Sequence, residues 1–272
     1  MQKQNDLAII TVVYNNYEVL EDLINSLKIQ KNNGFHLYIA DASEDKRVIN
    51  ANNILTNVVP VSNLGYAHGV NEGIKQAQKD GCTRFCVINN DTLFENNFTA
   101  SIKNMFDNYP NTIFGGKIYY AKGYEYHNRY KNDQLGNIIW YAGGGVKWED
   151  SVPFHIGVDE VDNDKYSDIS ETKFITGCMM CFDKSVVDLI GFWDEKYFLY
   201  FEDADYCERA KRKNISLKYL PTIKLWHKNA QSTDGPGSAI QQKYQKKSLL
   251  RFAIKYAPPR TKLHVILNYI FK

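Results

Sequence analysis

The chain opens with continuous apolar runs separated by segments of helical spacing. Residues 7–13 (LAIITVV) form an uninterrupted apolar stretch, the pattern of a strand buried on both faces, and it closes on Tyr14-Asn15-Asn16. Leu20, Leu23, Ile24 and Leu27 then recur at i, i+3, i+4 and i+7, which predicts an amphipathic helix. Residues 36–40 (HLYIA) read as a second strand with Asp41 at its carboxyl end. Residues 57–61 (NVVPV) read as a third, placed at the outer edge because Pro60 has no N–H for a ladder. Asn63-Leu64-Gly65 leads into a helix that runs through Gln78, and residues 84–89 (RFCVIN) form a fourth strand ending on Asn89-Asn90-Asp91. This alternation fills the first ~118 residues and predicts an α/β fold, a mostly parallel sheet with helices on both faces.

Residues 119–172 break the rhythm and are rich in Tyr, Gly, Asn and Asp, with WYAGGGVKW at 140–148. A stretch of that length inside a compact domain is expected to be functional. Strand character returns at 173–182 (KFITGCMMCF), a helix follows at 183–190, and 215–220 and 222–227 read as two short strands. The end of the chain reads as helical, broken at Pro258-Pro259. The expected organisation is residues 1–234 as one unit (1–118 and 119–234 as its halves) and residues 235–272 as a basic helical extension.

Composition sharpens this picture at two points. Of 33 basic residues, eight lie between Gly235 and Lys272, where there is no acid; the other 25 face 31 acids in the body. An acidic body argues against nucleic-acid binding and makes the tail the candidate contact surface. The first residues lack the basic start and cleavage site of a signal peptide, and no apolar run has the ~18–20 residues of a membrane span. A cytoplasmic protein is the expectation, with peripheral contact at the inner membrane face as a possible addition. The five cysteines do not form a disulfide framework, and Cys178-Met-Met-Cys181 sits in a strand-like run, so buried thiols are expected.

The candidate chemistry gathers at the carboxyl ends of the strands. Asn15, Asp41, Asn63 and Asp91 all stand just past a strand, where open α/β sheets bind ligands; each taken singly also suits a turn. Neither GxGxxG nor GxxxxGK[ST] is present, so a diphosphate bound here needs another source of positive charge. A hard cation held by Asp91, Mg²⁺ or Mn²⁺, would supply it, and an added imidazole from His227 would favour Mn²⁺. The stretch FLYFEDADYCER, residues 198–209, sets Glu202, Asp203, Asp205 and Glu208 behind three aromatic residues. Acids at a helix start are favoured in any protein, but aromatic faces beside them also suit a sugar ring. Asp205 and Arg209, at i and i+4, are expected to pair, and Glu208 to be solvated.

Seven segments, NNYEVLEDLINSL, NLGYAHGVNEGIKQA, VINNDTLF, WYAGG, FITGCMM, GFWDEKYFLYFEDADYCER and YLPTIKLWH, occur in an order that resembles family 2 glycosyltransferases of the GT-A fold. The bacterial branch of rhamnosyl- and galactofuranosyltransferases is the most similar. The resemblance implies that Thr11, Val13, Tyr14 and Asn15 line the base and ribose pocket and that Asp41 accepts from the imide N–H of uracil or thymine. It also implies that Asn63, Gly65 and Asn71 border the ribose and diphosphate. Asn89-Asn90-Asp91 takes the place of the family's Asp-x-Asp, with neutral Asn89 in the first position, and His227 is implied as the later metal ligand. Asp203 would be the base, supported by Glu202, with Trp140, Trp193 and Tyr200 at the acceptor. The implied activity is inverting, metal-assisted transfer from a UDP- or dTDP-sugar to a surface polysaccharide or glycoprotein glycan, on a lipid-linked or protein-linked acceptor. A nucleotidyltransferase and a non-catalytic nucleotide-sugar-binding module are the alternatives. The tail offers Lys243, Lys247, Arg251 and Lys255 as a stripe that either meets an anionic membrane or is the solvated side of a helix packed on the body or on another subunit.

Overall fold

The computed structural model describes residues 6–31, 34–229 and 239–271. The chain runs β1 (Leu7–Val13), α1 (Tyr17–Lys28), β2 (Phe35–Asp41), β3 (Thr56–Pro60), α2 (Tyr66–Lys79), β4 (Arg84–Ile88), β5 (Thr92–Phe94), α3 (Phe98–Asn108) and β6 (Thr112–Tyr120). It continues through β7 (Ile139–Tyr141), β8 (Gly144–Lys147), β9 (Val152–His155), β10 (Ser170–Glu171), β11 (Met179–Asp183), α4 (Lys184–Ile190), α5 (Glu202–Arg212) and β12 (Ser216–His227). Two helices close it, α6 (Ala239–Tyr256) and α7 (Pro259–Phe271).

One large mixed sheet carries the fold, in the order β10-β12-β6-β11-β4-β1-β2-β3, with β5 on β12 and β7 on β6. β1 is parallel to β2 and β4, and β2 to β3. Strand order reverses about β1: β2 and β3 extend one way and β4 the other, so a crevice opens outside the carboxyl ends of β1 and β4. β1 and β2 are almost wholly buried, as their unbroken apolar runs require, and β3 is the edge strand that Pro60 demands. α1 and α2 each bury one apolar stripe, and Gly69 and Gly73 of α2 sit so close to Val12 and Ile10 that a methyl group there would press on those side chains.

Three expectations change. The strand expected over 173–182 is confined to β11, which pairs antiparallel with both β4 and β6. The two strands expected at 215–220 and 222–227 are one, β12, whose register on β6 shifts between Leu220 and Lys224. Pro221 interrupts the amide ladder there, and a bulge absorbs it. The irregular segment holds β7 to β10, all short, which accounts for its lack of a periodic signal. The expected boundary at 234/235 lies outside the described residues. Beyond it α6 packs on the body through Ser248, Phe252 and Ala253, with Phe252 stacked on Trp148 and tilted against Phe201. Lys255 of the expected stripe stays exposed but is paired with the body, its ammonium reaching Asp205 (2.6 Å) and Asp194 (3.3 Å). All five cysteines are free and buried.

Candidate functional site

Each functional candidate is delivered by the end of a strand or the start of a helix. Past β1, Asn15 adopts a positive φ of 58° and its N–H donates to Ser43 Oγ (2.8 Å), which holds the turn after β1 against the turn after β2. Asp41 is buried and both its oxygens accept, Oδ2 from the Tyr17 hydroxyl (2.8 Å) and Oδ1 from the Ser43 amide (3.0 Å). Thr11 and Val13 are fully buried beneath this edge, and Thr11 Oγ1 has no partner; Tyr14 and Asn63 are exposed.

Asn89, Asn90 and Asp91 follow β4. Asp91 Oδ1 faces His227 Nε2 at 3.1 Å, both residues almost fully buried. The two atoms are not aligned for a hydrogen bond, and Asp91 Oδ1 is without a hydrogen-bond partner. Two ligands held at about 2.1 Å and near a right angle from one cation stand about 3 Å apart, so the pair fits a shared divalent ion. Among the described residues no cluster of three or more His, Cys, Asp or Glu side chains is disposed to hold a metal. A cation with two protein ligands, completed by substrate phosphate and water, is the habit of Mg²⁺ and Mn²⁺ rather than of structural zinc. The Trp140 ring lies edge-on to His227 at 4.5 Å and to His155 at 4.4 Å, and His155 Nδ1 hydrogen-bonds to the Trp140 carbonyl (3.0 Å). Burial pushes the His155 imidazole down to about 4 against that hydrogen bond. His155 therefore sits as a neutral brace behind Trp140, a role that no sequence pattern marks.

The acids of α5 divide into separate environments. Asp203 Oδ2 accepts from the Gly177 amide (2.8 Å) and Oδ1 from the Ala204 amide (2.7 Å). Burial nevertheless pushes its carboxyl up to about 6, with those amides pulling the other way. Glu202 is more deeply enclosed and its Oε2 has no partner. Burial first, then the neighbouring Asp203 charge, hold its carboxyl well above the usual carboxylate range. Asp205 is fully buried among Arg209 (2.8 Å), Lys255 and the Tyr256 hydroxyl (2.8 Å), the expected pair with two further partners. Glu208, expected in solvent, is buried and paired with Lys211. An α-helix turns these four side chains to different sides, so only Asp203 and Glu202 remain near the crevice.

The loop before α5 is strained. Tyr200 and Phe201 both have positive φ, 67° and 68°, a region that costs a non-glycine residue roughly 1–2 kcal/mol. It is pinned from both sides. Tyr66 N–H donates to the Phe198 carbonyl (2.8 Å), and Gly65, at φ 110°, lies so close that a Cβ would sit 2.5 Å from that oxygen. On the other side Phe198 stacks on Tyr244 (4.5 Å) and Ser248 Oγ donates to the Leu199 carbonyl (2.9 Å).

Tyr66 joins the two halves of the site. Its hydroxyl lies 3.1 Å from Asn89 Oδ1 and 3.3 Å from the Gly177 carbonyl, while the Asn89 amide donates to the Cys178 carbonyl (3.0 Å). Asn89, Gly177, Cys178 and Asp203 thus form one connected knot. Two of the expected contact residues face elsewhere. Asn71 is buried, its amide clamped to the backbone of Trp193 (2.9 and 3.0 Å) and to Glu195 (2.8 Å). Trp193 is 2% exposed, stacked on Tyr206 and backing Gly177, and presents no face to a ligand in this conformation. Trp140 and Tyr200 are half-buried at the rim.

The family model for glycosyl transferase family 2 matches residues 8–188. The low-salt glycan biosynthesis hexosyltransferase Agl10 of Haloferax volcanii is 33% identical over 51 residues, 19% of this chain and 17% of that protein. Among solved structures, GalNAc-T7 with UDP, GalNAc and Mn²⁺ matches at a TM-score of 0.65 and 11% identity, over 91% of this chain and 47% of that one. The mannosyltransferase PcManGT from Pyrobaculum calidifontis, in complex with GDP-Man and Mn²⁺, matches at 0.55 and 11%, over 98% and 70%. The chain therefore spans under half of the GalNAc-T7 chain and a small part of Agl10, and at these identities the structural likeness is one of fold, the GT-A arrangement.

Proposed function

The chain belongs to glycosyl transferase family 2, and from that premise we propose that it is an inverting hexosyltransferase acting on a UDP- or dTDP-sugar and a hydroxyl of a glycan acceptor. The observation that carries this reading is the single knot joining Asn89, beside the Asp91–His227 pair, through Tyr66 and Gly177 to the Asp203 carboxylate. Donor and acceptor chemistry then meet across the crevice at β4.

Asp91 and His227 would hold the divalent cation, which when bound supplies positive charge to the leaving diphosphate. Asp203, ionised above about pH 6, takes the proton of the acceptor hydroxyl as its oxygen attacks the anomeric carbon. The new C–O bond forms on the face opposite the one that breaks, and the electron pair of the broken bond stays on the diphosphate. Burial and the Asp203 charge both favour the protonated form of Glu202, which adds no second negative charge beside the base. Asn71 and Gly65 act by fixing the 193–198 loop against the nucleotide side, and Asp41 reads the pyrimidine imide edge with the lone pairs that Tyr17 and Ser43 leave free.

A donor-hydrolysis screen across UDP-, dTDP- and GDP-sugars, with Mn²⁺ and with chelator, tests the proposal. Turnover of a UDP- or dTDP-sugar that chelator abolishes is expected. Calorimetry should find UDP or dTDP bound better than GDP, with the preference reduced in Asp41→Ala; tighter GDP binding by the parent protein overturns the donor assignment.

A further inference from the structure

α7 is amphipathic in the wrong sense for a helix that ends on water. The side packed against the rest of the protein buries Thr261 and Val265, next to Ala253 and Ala257 of the neighbouring helix region, and Thr261 Oγ1 donates to the Trp148 carbonyl (2.8 Å). The opposite side shows Leu263, Leu267, Ile270 and Phe271, which are 59, 45, 64 and 80% exposed. At 100° per residue these four fall within about 100° of arc, so they form one continuous apolar stripe. Scattered exposed leucines need no explanation; a helix whose outer stripe is more apolar than its inner one does.

Charge decides what covers it. From Gly235 to Lys272 there are eight basic residues and no acid, and Arg260 and Lys262 stand in the first turn of α7 itself. A second copy of the chain seated stripe to stripe in a two-fold dimer would bring two acid-free tails together, like charge on like. An anionic surface meets the same tail with attraction that grows with each cation that reaches it. Among the described residues no helix is long and apolar enough to cross a membrane, so the contact lies in the plane of the surface.

We infer that α7 docks on an anionic lipid bilayer, setting Leu263, Leu267, Ile270 and Phe271 into the interface. This differs from the stripe the sequence offered on α6, where Lys255 is spent on Asp205 and Asp194. The docking face is apolar and lies on α7, with Arg260 and Lys262 in the first turn of the same helix.

Flotation of the full chain with vesicles of phosphatidylcholine alone, or mixed with phosphatidylglycerol, tests this. The parent protein should float only with the anionic vesicles, and the bound fraction should fall several-fold as salt rises from about 0.05 to 0.5 M, because the Debye length shrinks. Leu267→Gln/Ile270→Gln should remove flotation while leaving the melting midpoint and donor hydrolysis unchanged, since both side chains are already in solvent. Arg260→Gln/Lys262→Gln should weaken it and leave the apolar stripe intact. A parent protein that ignores anionic vesicles overturns the inference. So does flotation that survives the Gln pair, and so does a parent dimer in sedimentation that the Gln pair dissociates, which would assign the stripe to a second copy.

Discussion

Glu202 and Asp203 are neighbours in sequence and opposites in environment, and their substitutions should not behave alike. Asp203→Asn is expected to lower turnover by about 10²-fold or more with donor affinity retained, because only the proton acceptor is lost. Glu202→Gln should keep activity within a few-fold, since burial and the Asp203 charge both favour a neutral side chain at this position. The sign of the pH dependence follows from the same pair. A base must be ionised, and Asp203 is pushed up to about 6, so kcat/KM should climb tenfold per unit below pH 6 and level off above it. A profile that falls with rising pH through this range removes Asp203 from the role. At the proposed metal site, Asn89→Asp should add a second carboxylate and lower the Mn²⁺ concentration for half-maximal activity, whereas His227→Ala should raise it; titration with Mn²⁺ in the presence of UDP reads both. The acids, Asp91 and His227 were legible because charge and imidazole beside apolar runs are conspicuous. Tyr66, Gly177 and His155 were not, because a tyrosine hydroxyl, a backbone amide and a bracing ring leave no compositional trace.

At the scale of the element, the short loop from Phe198 to Phe201 carries the strain and α6 carries the restraint. Tyr200 at φ 67° predicts an inverted order of substitution: Tyr200→Gly should be more stable than Tyr200→Ala by about 1 kcal/mol, the reverse of the usual cost of glycine. Urea midpoints for the two variants decide it. Phe252→Ala is expected to cost about 3–5 kcal/mol, since the ring is fully buried against Trp148 and Phe201, and the loss should be felt at the loop that leads into Asp203. β1, β2, β4, α1 and α2 were legible because each is a local pattern with a clear period. β12 was read as two strands because Pro221 is a local breaker, and only pairing with β6 keeps the strand whole. β7 to β10 are two to four residues long, too short to show a period; β7 and β10 are further specified by partners distant in sequence, β6 and β12.

For the molecule as a whole, the first 118 residues announce a parallel α/β sheet, while the antiparallel strands of the second half depend on contacts such as β11 between β4 and β6. The crevice lies where these two regimes meet, which predicts a linked pair of ligands. UDP with Mn²⁺ should raise the melting midpoint clearly, and Mn²⁺ alone hardly at all, because in the proposed site Asp91 and His227 would need the diphosphate to complete the coordination. Scanning calorimetry with each ligand alone and together checks this. The five free cysteines are all buried, and they give the native protein a built-in clock. A thiol-specific reagent can reach them only when the structure opens, so the rate of modification measures how often each region unfolds. Cys178 and Cys207 sit beside the Asp203 knot, and Cys82 lies at the far end of the sheet next to Tyr38. Saturating nucleotide should slow the first two more than the third, turning ordinary core residues into reporters of where in the chain ligand binding is felt.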